Sequence, residues 1–220
     1  MPIKVILTGA TGMVGEGVLL ECLQHPEVME VLIIGRRHYD MTHPKLKELL
    51  VKDFTKLNGL DQQLSGFDAC LYCAGITSVG MSEADYTHIT YDIPLSLANK
   101  LLSLNPNMVF SHISGGSTDS TEKGKVMWAR VKGKAENALM KLPFRKVYNF
   151  RPGLMKATKG QKNLQSWYFI VAVLYPVMRI FIPGKVLLLR DVGLAMINSV
   201  IKGYPKSILE VPDIQALAKA

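Results

Sequence analysis

Apolar positions along the chain switch between two periods. Ile3, Val5, Ile6 and Leu7 form a short, partly β-branched run, which reads as a buried strand. Val14, Val18, Leu19, Cys22 and Leu23 follow at helical spacing. The exchange then repeats. Residues 28–34 read as a second strand, 44–51 as a short helix, and Lys52-Asp53-Phe54 as the end of a third strand. Residues 57–64 read as another short helix and 68–73 as a fourth strand. A long helical stretch, 81–104, is interrupted near Pro94 and closed by the turn Asn105-Pro106-Asn107. Residues 108–113 make a fifth strand, 126–142 a helix and 147–150 a sixth strand. Strands alternating with helices at this interval predict an α/β fold: a parallel sheet covered on both faces by helices.

Beyond residue 154 the strict alternation is lost. Residues 155–162 read as a basic loop, 186–189 as a short strand, and the helix after them as one capped by Asp191. The tail from Ile208 reads as a short strand and a weak helix. Residues 167–183 are the most apolar stretch. They fall short of the roughly 20 residues that a spanning helix needs. They also contain Pro176 and Arg179, so they are expected as a core helix or a lid over a substrate pocket, without membrane contact. The whole is expected as one domain, 1–220, with 154–220 as a small substrate-side region.

The first strand runs directly into Thr8-Gly9-Ala10-Thr11-Gly12-Met13-Val14-Gly15. In such a strand–turn–helix unit Gly9 permits the tight turn, Gly12 lets backbone approach a pyrophosphate, and Gly15 lets helix and strand pack closely. The helix N-terminus offers free N–H groups and partial positive charge to phosphates. The second strand ends in Gly35-Arg36-Arg37 with no acidic residue. An acid at this place holds a free ribose 2′-OH, and an arginine holds a 2′-phosphate. NADP(H) is therefore expected over NAD(H). Asp53, next to Phe54, could accept from an adenine amino group. Cys73-Ala74-Gly75 gives the fourth strand a small-residue end, over which a cofactor could lie.

Charge and cysteines narrow the picture further. Net charge is +8, which suits anionic ligands. The cations are scattered and not interleaved with aromatics, so nucleic acid is not expected as a partner. Cys22, Cys70 and Cys73 are too few and too odd in number for a disulfide framework. Cys70 and Cys73 sit in an apolar strand without the helix start that activates such thiols. No second cysteine pair suggests zinc. No secretory leader is evident, and a cytoplasmic setting is expected.

Together the glycine turn, Gly35-Arg36-Arg37, Ser114, Lys132-Gly133 and Arg151-Pro152-Gly153 resemble the short-chain dehydrogenase/reductase superfamily. The resemblance is to its atypical branch, with nucleoside-diphosphate-sugar epimerase-like, NAD(P)H-binding and Tat-interacting-protein-like members. It implies a Rossmann doubly wound sheet and extends the cofactor site to Lys132, Arg151, Pro152 and Gly153. It also implies catalysis by a serine, a tyrosine and a lysine, with tyrosine and lysine four apart. Lys132 then stands as the lysine and Ser114 as the serine, with Ser117 as second choice.

At the tyrosine position stands Trp128. An indole N–H donates only and cannot serve as general acid and base. No neighbouring tyrosine is in register, and Tyr148 falls in the next strand. Three functions remain. The first is an oxidoreductase acting on a small carbonyl or alcohol, with its proton from Lys132 or a held water. The second is a catalytically weak, NADP(H)-dependent sensor in which Trp128 forms a platform beside the nicotinamide. The third is a nucleotide-sugar epimerase or dehydratase, ranked last because roughly 70 residues follow Arg151. A homodimer is a family-level expectation.

Overall fold

The computed structural model describes residues 2–164 and 168–220, and the side chains of all of these except 168–172. Its elements run β1 (Ile3–Thr8), α1 (Met13–Gln24), β2 (Val28–Gly35), β3 (Leu46–Leu50), α2 (Asp61–Leu64) and β4 (Ala69–Tyr72). Next come α3 (Glu83–Thr87), α4 (Ile93–Leu104), β5 (Val109–Ile113), α5 (Met127–Met140), β6 (Lys146–Phe150) and β7 (Leu154–Lys156). The chain ends with α6 (Tyr168–Phe181), β8 (Val186–Leu188), α7 (Leu189–Ile201), β9 (Ile208–Leu209) and α8 (Val211–Ala218).

Seven strands form one parallel sheet in the order β3-β2-β1-β4-β5-β6-β9. Successive residues of β1 feed opposite cores. Ile3, Val5 and Leu7 join a cluster with Val18 and Leu19 of α1, Val192 and Met196 of α7, and Ile214 of α8. Ile6 points the other way, into a cluster with Leu97 and Leu101 of α4 and Leu139 of α5. A strand buried on both faces has no polar side to show, which explains its apolar run Val5-Ile6-Leu7. This is the doubly wound Rossmann architecture. Its order reverses between β1 and β4, and a crevice opens beyond their carboxyl ends.

Several elements differ from the sequence reading. Residues 44–51 hold β3, an edge strand paired with β2 from Val31↔Leu46 to Gly35↔Leu50, and no helix. The strand ends at Leu50, so Lys52-Asp53-Phe54 turns out of it toward the crevice. Only the last four residues of 57–64 are helical. The long helical stretch is broken at His88–Asp92 by a π turn. Pro94 lies in the next turn; its ring cannot sit against the carbonyl four residues back in a regular helix, and a widened turn relieves the clash. The expected basic loop begins as β7, which pairs with β8 in a separate two-stranded sheet. Asp191 lies inside the first turn of α7, whose cap is Leu188.

The expectation of a core helix at 167–183 also gives way. Trp167 lies outside the described residues. On α6 Val173, Leu174, Val177, Ile180 and Phe181 are exposed. Among the described residues no helix is long and apolar enough to cross a membrane.

Candidate functional site

Glycines make the turn after β1 as tight as it is. Gly9 has φ +76°, and a Cβ there would lie 2.7 Å from Ala74 N. A Cβ on Gly15 would come 2.1 Å from the Gly9 carbonyl oxygen. Around Gly12 only that same oxygen is near, at 3.4 Å, so its open side faces the crevice. Thr8 Oγ1 accepts from the N–H groups of Cys73 and Ala74, each at 3.2 Å, and ties the ends of β1 and β4 together. Gly12 is the N-cap of α1 and offers no side chain to the helix start. The first N–H groups of α1 are left to a ligand.

A cleft of about 510 Å³ opens over this turn. Of the residues expected at the cofactor, Gly9, Thr11, Gly12, Arg36, Arg37, Asp53, Phe54, Cys73, Ala74 and Gly75 line it. Thr8, Met13, Val14 and Gly15 stand behind the wall, as strand end and first helical turn. Tyr39, Glu48, Lys52, Tyr72 and His88 line the cleft without having been singled out. Lys52 was legible in principle, as a cation beside Asp53 at the expected end of the third strand.

Charge at the β2 end of the cleft is lopsided. Arg36, Arg37 and Lys52 are exposed and form no ion pair among the described residues. Both nearby carboxylates are already engaged. Glu48 pairs with His38 Nδ1 and accepts from Tyr39 N at 2.8 Å. Asp53 Oδ1 accepts from Thr55 N at 2.9 Å and Thr55 Oγ1 at 2.6 Å, which holds its carboxyl below the usual range. These residues fit a dinucleotide: a glycine cradle for its pyrophosphate and free cations for a further phosphate.

At the β4–β5 end a small recess adjoins the cleft and shares Tyr72, Ala74, Gly75, Ile76 and Ile89 with it. Lys132 lines this recess from α5. Its ammonium donates to the Ser114 carbonyl oxygen at 2.7 Å, not to the hydroxyl. Burial lowers the Lys132 pKa, and nearby Glu136 partly opposes this. Ser114 is buried, and its hydroxyl shares a 3.1 Å hydrogen bond with Thr118. Trp128 sits half-buried in the first turn of α5, one turn before Lys132, and lines neither cavity. His112 closes the recess. It is buried, bonded through Nδ1 to Asn149 Oδ1 at 3.0 Å, and its pKa is pushed by burial down to about 4.

Two phenols that sequence register could not reveal also line the recess: Tyr72 and Tyr86. Both are almost fully buried, and burial raises both pKa values. They arrive from β4 and α3, far in sequence from Trp128.

Arg151, Pro152 and Gly153 are not among the lining residues. The Arg151 guanidinium is held by Glu136 through Nε, at 2.9 Å, and through Nη2. It also reaches Glu210 at 3.2 Å and Ser120 Oγ at 2.6 Å. A Cβ on Gly153 would strike the Lys185 carbonyl oxygen at 2.1 Å. All three cysteines are buried with pKa values raised, Cys22 to about 12. Among the described residues there is no cluster able to hold a metal ion.

Residues 5–124 match the NAD dependent epimerase/dehydratase family. Protein HTATIP2 of Rattus norvegicus is 25% identical over 166 residues, 74% of this chain and 67% of that protein. Protein fmp52-1, mitochondrial, of Aspergillus terreus is 28% identical over 167 residues, 73% of this chain and 70% of that protein. Among solved structures, MoeE5 in complex with UDP-glucose and NAD superposes with a TM-score of 0.67 at 15% identity. The superposition covers 98% of this chain and 80% of that one, and shows a shared fold.

Proposed function

The chain belongs to the NAD dependent epimerase/dehydratase family, and we propose that it binds NADP(H) and acts as an oxidoreductase on a small carbonyl or alcohol. One observation carries the preference for the phosphorylated cofactor. Arg36, Arg37 and Lys52, at the ends of β2 and β3, have no ion pair among the described residues, while Glu48 and Asp53 are engaged elsewhere. A ribose 2′-OH gains little from such an array; a 2′-phosphate gains charge-assisted hydrogen bonds. The glycine turn and the open start of α1 would hold the pyrophosphate.

The bound dinucleotide supplies hydride transfer. The chain supplies position and a proton. Lys132, with its pKa lowered by burial, gives a proton to a substrate oxygen or takes one from it. The Ser114 carbonyl fixes the ammonium at the recess. Trp128 supports a second reading, a cofactor-dependent binding protein, because no titratable group stands at its position.

Titration of the purified chain with NADPH and NADH, alongside Arg36→Ala, tests the cofactor. NADPH should bind more tightly, and the variant should lose about 1–3 kcal/mol of that preference. Equal affinities for the two cofactors would refute it. Carbonyl-dependent loss of NADPH absorbance, abolished in Lys132→Ala, tests the chemistry. Tight binding without turnover on any carbonyl would leave the binding-protein reading.

A further inference from the structure

From Val173 on, the outward face of α6 is apolar and exposed. Val173, Leu174, Val177, Ile180 and Phe181 are exposed, the last two at 75% and 78%. Their spacing gathers them on one arc of about 120° around the helix. Tyr175 faces the other way and is buried, with Lys156 Nζ 5.4 Å from its ring centre. The helix is thus held to the body by one side and presents the other to solvent. A stripe of this kind marks an interaction surface.

Charge identifies the partner. Between Gly153 and Arg190 the chain carries Lys156, Lys159, Lys162, Arg179, Lys185 and Arg190, and no acidic residue. Lys156 covers the Tyr175 ring, and Arg190 reaches Glu21 of α1 at 4.0 Å. That leaves Lys159, Lys162, Arg179 and Lys185 exposed and without an ion pair among the described residues. Arg179 is on the helix itself, exposed on the flank away from the stripe, where its long stem can reach headgroups above the acyl boundary. Lys185 follows closely, its N–H bonded to Ile182 O at 2.9 Å. A second copy of the chain on this face would bring two such cationic sets together. An anionic bilayer surface answers both features, with its acyl boundary meeting the stripe and its headgroups meeting the cations. At 14 residues α6 is too short to span, so it lies along the interface.

We propose that α6 and its flanking cations form a reversible docking face for an anionic membrane surface. The expectation of a core helix or lid hid this face, because the apolar residues of 167–183 were assigned to the interior. The proposal is independent of the cofactor reading.

Sedimentation of the full chain with vesicles tests it, using phosphatidylcholine alone and phosphatidylcholine with phosphatidylserine. The chain should pellet with the anionic vesicles, stay in the supernatant with the neutral ones, and be released by salt. Arg179→Gln and Lys185→Gln should each weaken partitioning about fivefold. Ile180→Asp combined with Phe181→Asp should abolish it. All four side chains are exposed, and melting curves of the variants would show the fold intact. Wild-type chain in the supernatant with both vesicles overturns the proposal. So does equal binding to both, or pelleting of the double-aspartate variant like wild type. A dimer in solution that the double-aspartate variant dissociates, without vesicle binding, would replace the membrane with a second copy.

Discussion

Single atoms decide the dinucleotide turn. A Cβ on Gly15 would sit 2.1 Å from the Gly9 carbonyl oxygen, and backbone cannot swing aside as a long side chain can. Gly15→Ala should therefore push α1 off β1, cost about 1–3 kcal/mol of stability and abolish NADPH binding. Thermal melts and a fluorescence titration check this; wild-type affinity in a stable variant would show that the turn tolerates a side chain. His112 gives a second test at this scale. Burial depresses its pKa from 6.5 to about 4. Between these values the unfolded chain binds a proton that the folded chain does not, so stability rises with pH. The contribution is complete above about pH 6.5 and is lost as pH falls toward 4, by at most about 3 kcal/mol. Urea melts across that range on wild type and His112→Asn should diverge on acidification, with the variant flatter. Parallel curves would remove His112 as the source.

Arg151 joins three elements. Its guanidinium, at the end of β6, reaches Glu136 on α5 and Glu210 beside β9. Glu136 is fully buried, so Glu136→Leu leaves a nearly buried cation with the partly exposed Glu210 as its anion and Ser120 Oγ as a neutral acceptor. The variant should lose about 3–5 kcal/mol, read as a lower denaturant midpoint; a loss under about 1 kcal/mol would place the pair with ordinary surface ion pairs. This tie was invisible in the sequence, where Arg151-Pro152-Gly153 reads as a cofactor motif. Elements whose burial follows from their own pattern were legible: β1, β2 and β4 carry runs of three or more consecutive buried apolar residues, and α5 carries a 3.6-residue stripe through Val131, Ala135 and Leu139. β3 was not. Its residues Leu46, Lys47, Glu48, Leu49 and Leu50 are good helix formers, and only the open edge of β2 makes them a strand. The same limit hid the two phenols near Lys132. Sequence register compares neighbours along one helix, whereas Tyr72 and Tyr86 reach the recess from β4 and α3.

At the scale of the whole molecule, both ends of the chain stabilise the cofactor half. α7 and α8 pack into the same core as α1 and β1, and Glu16 of α1 accepts from Lys162 N at 3.0 Å and Asn163 N at 2.8 Å. Gln161 Nε2 donates to Met13 O at 2.7 Å, so the segment leading to α6 is fastened to the start of α1. A ligand bound at that helix start bears on most of the fold, and its binding energy should appear as global stability. At NADPH one hundred times its Kd the gain is about 2.7 kcal/mol, or roughly 5–11 °C in Tm for a chain of this size. NADH at the same concentration should give a smaller shift, and Arg36→Ala should bring the two together. An NADPH shift that survives Arg36→Ala in full would move the phosphate contact to Arg37 and Lys52. No shift with either cofactor, in a chain that melts cooperatively, would mean that the cleft over the glycine turn holds no dinucleotide.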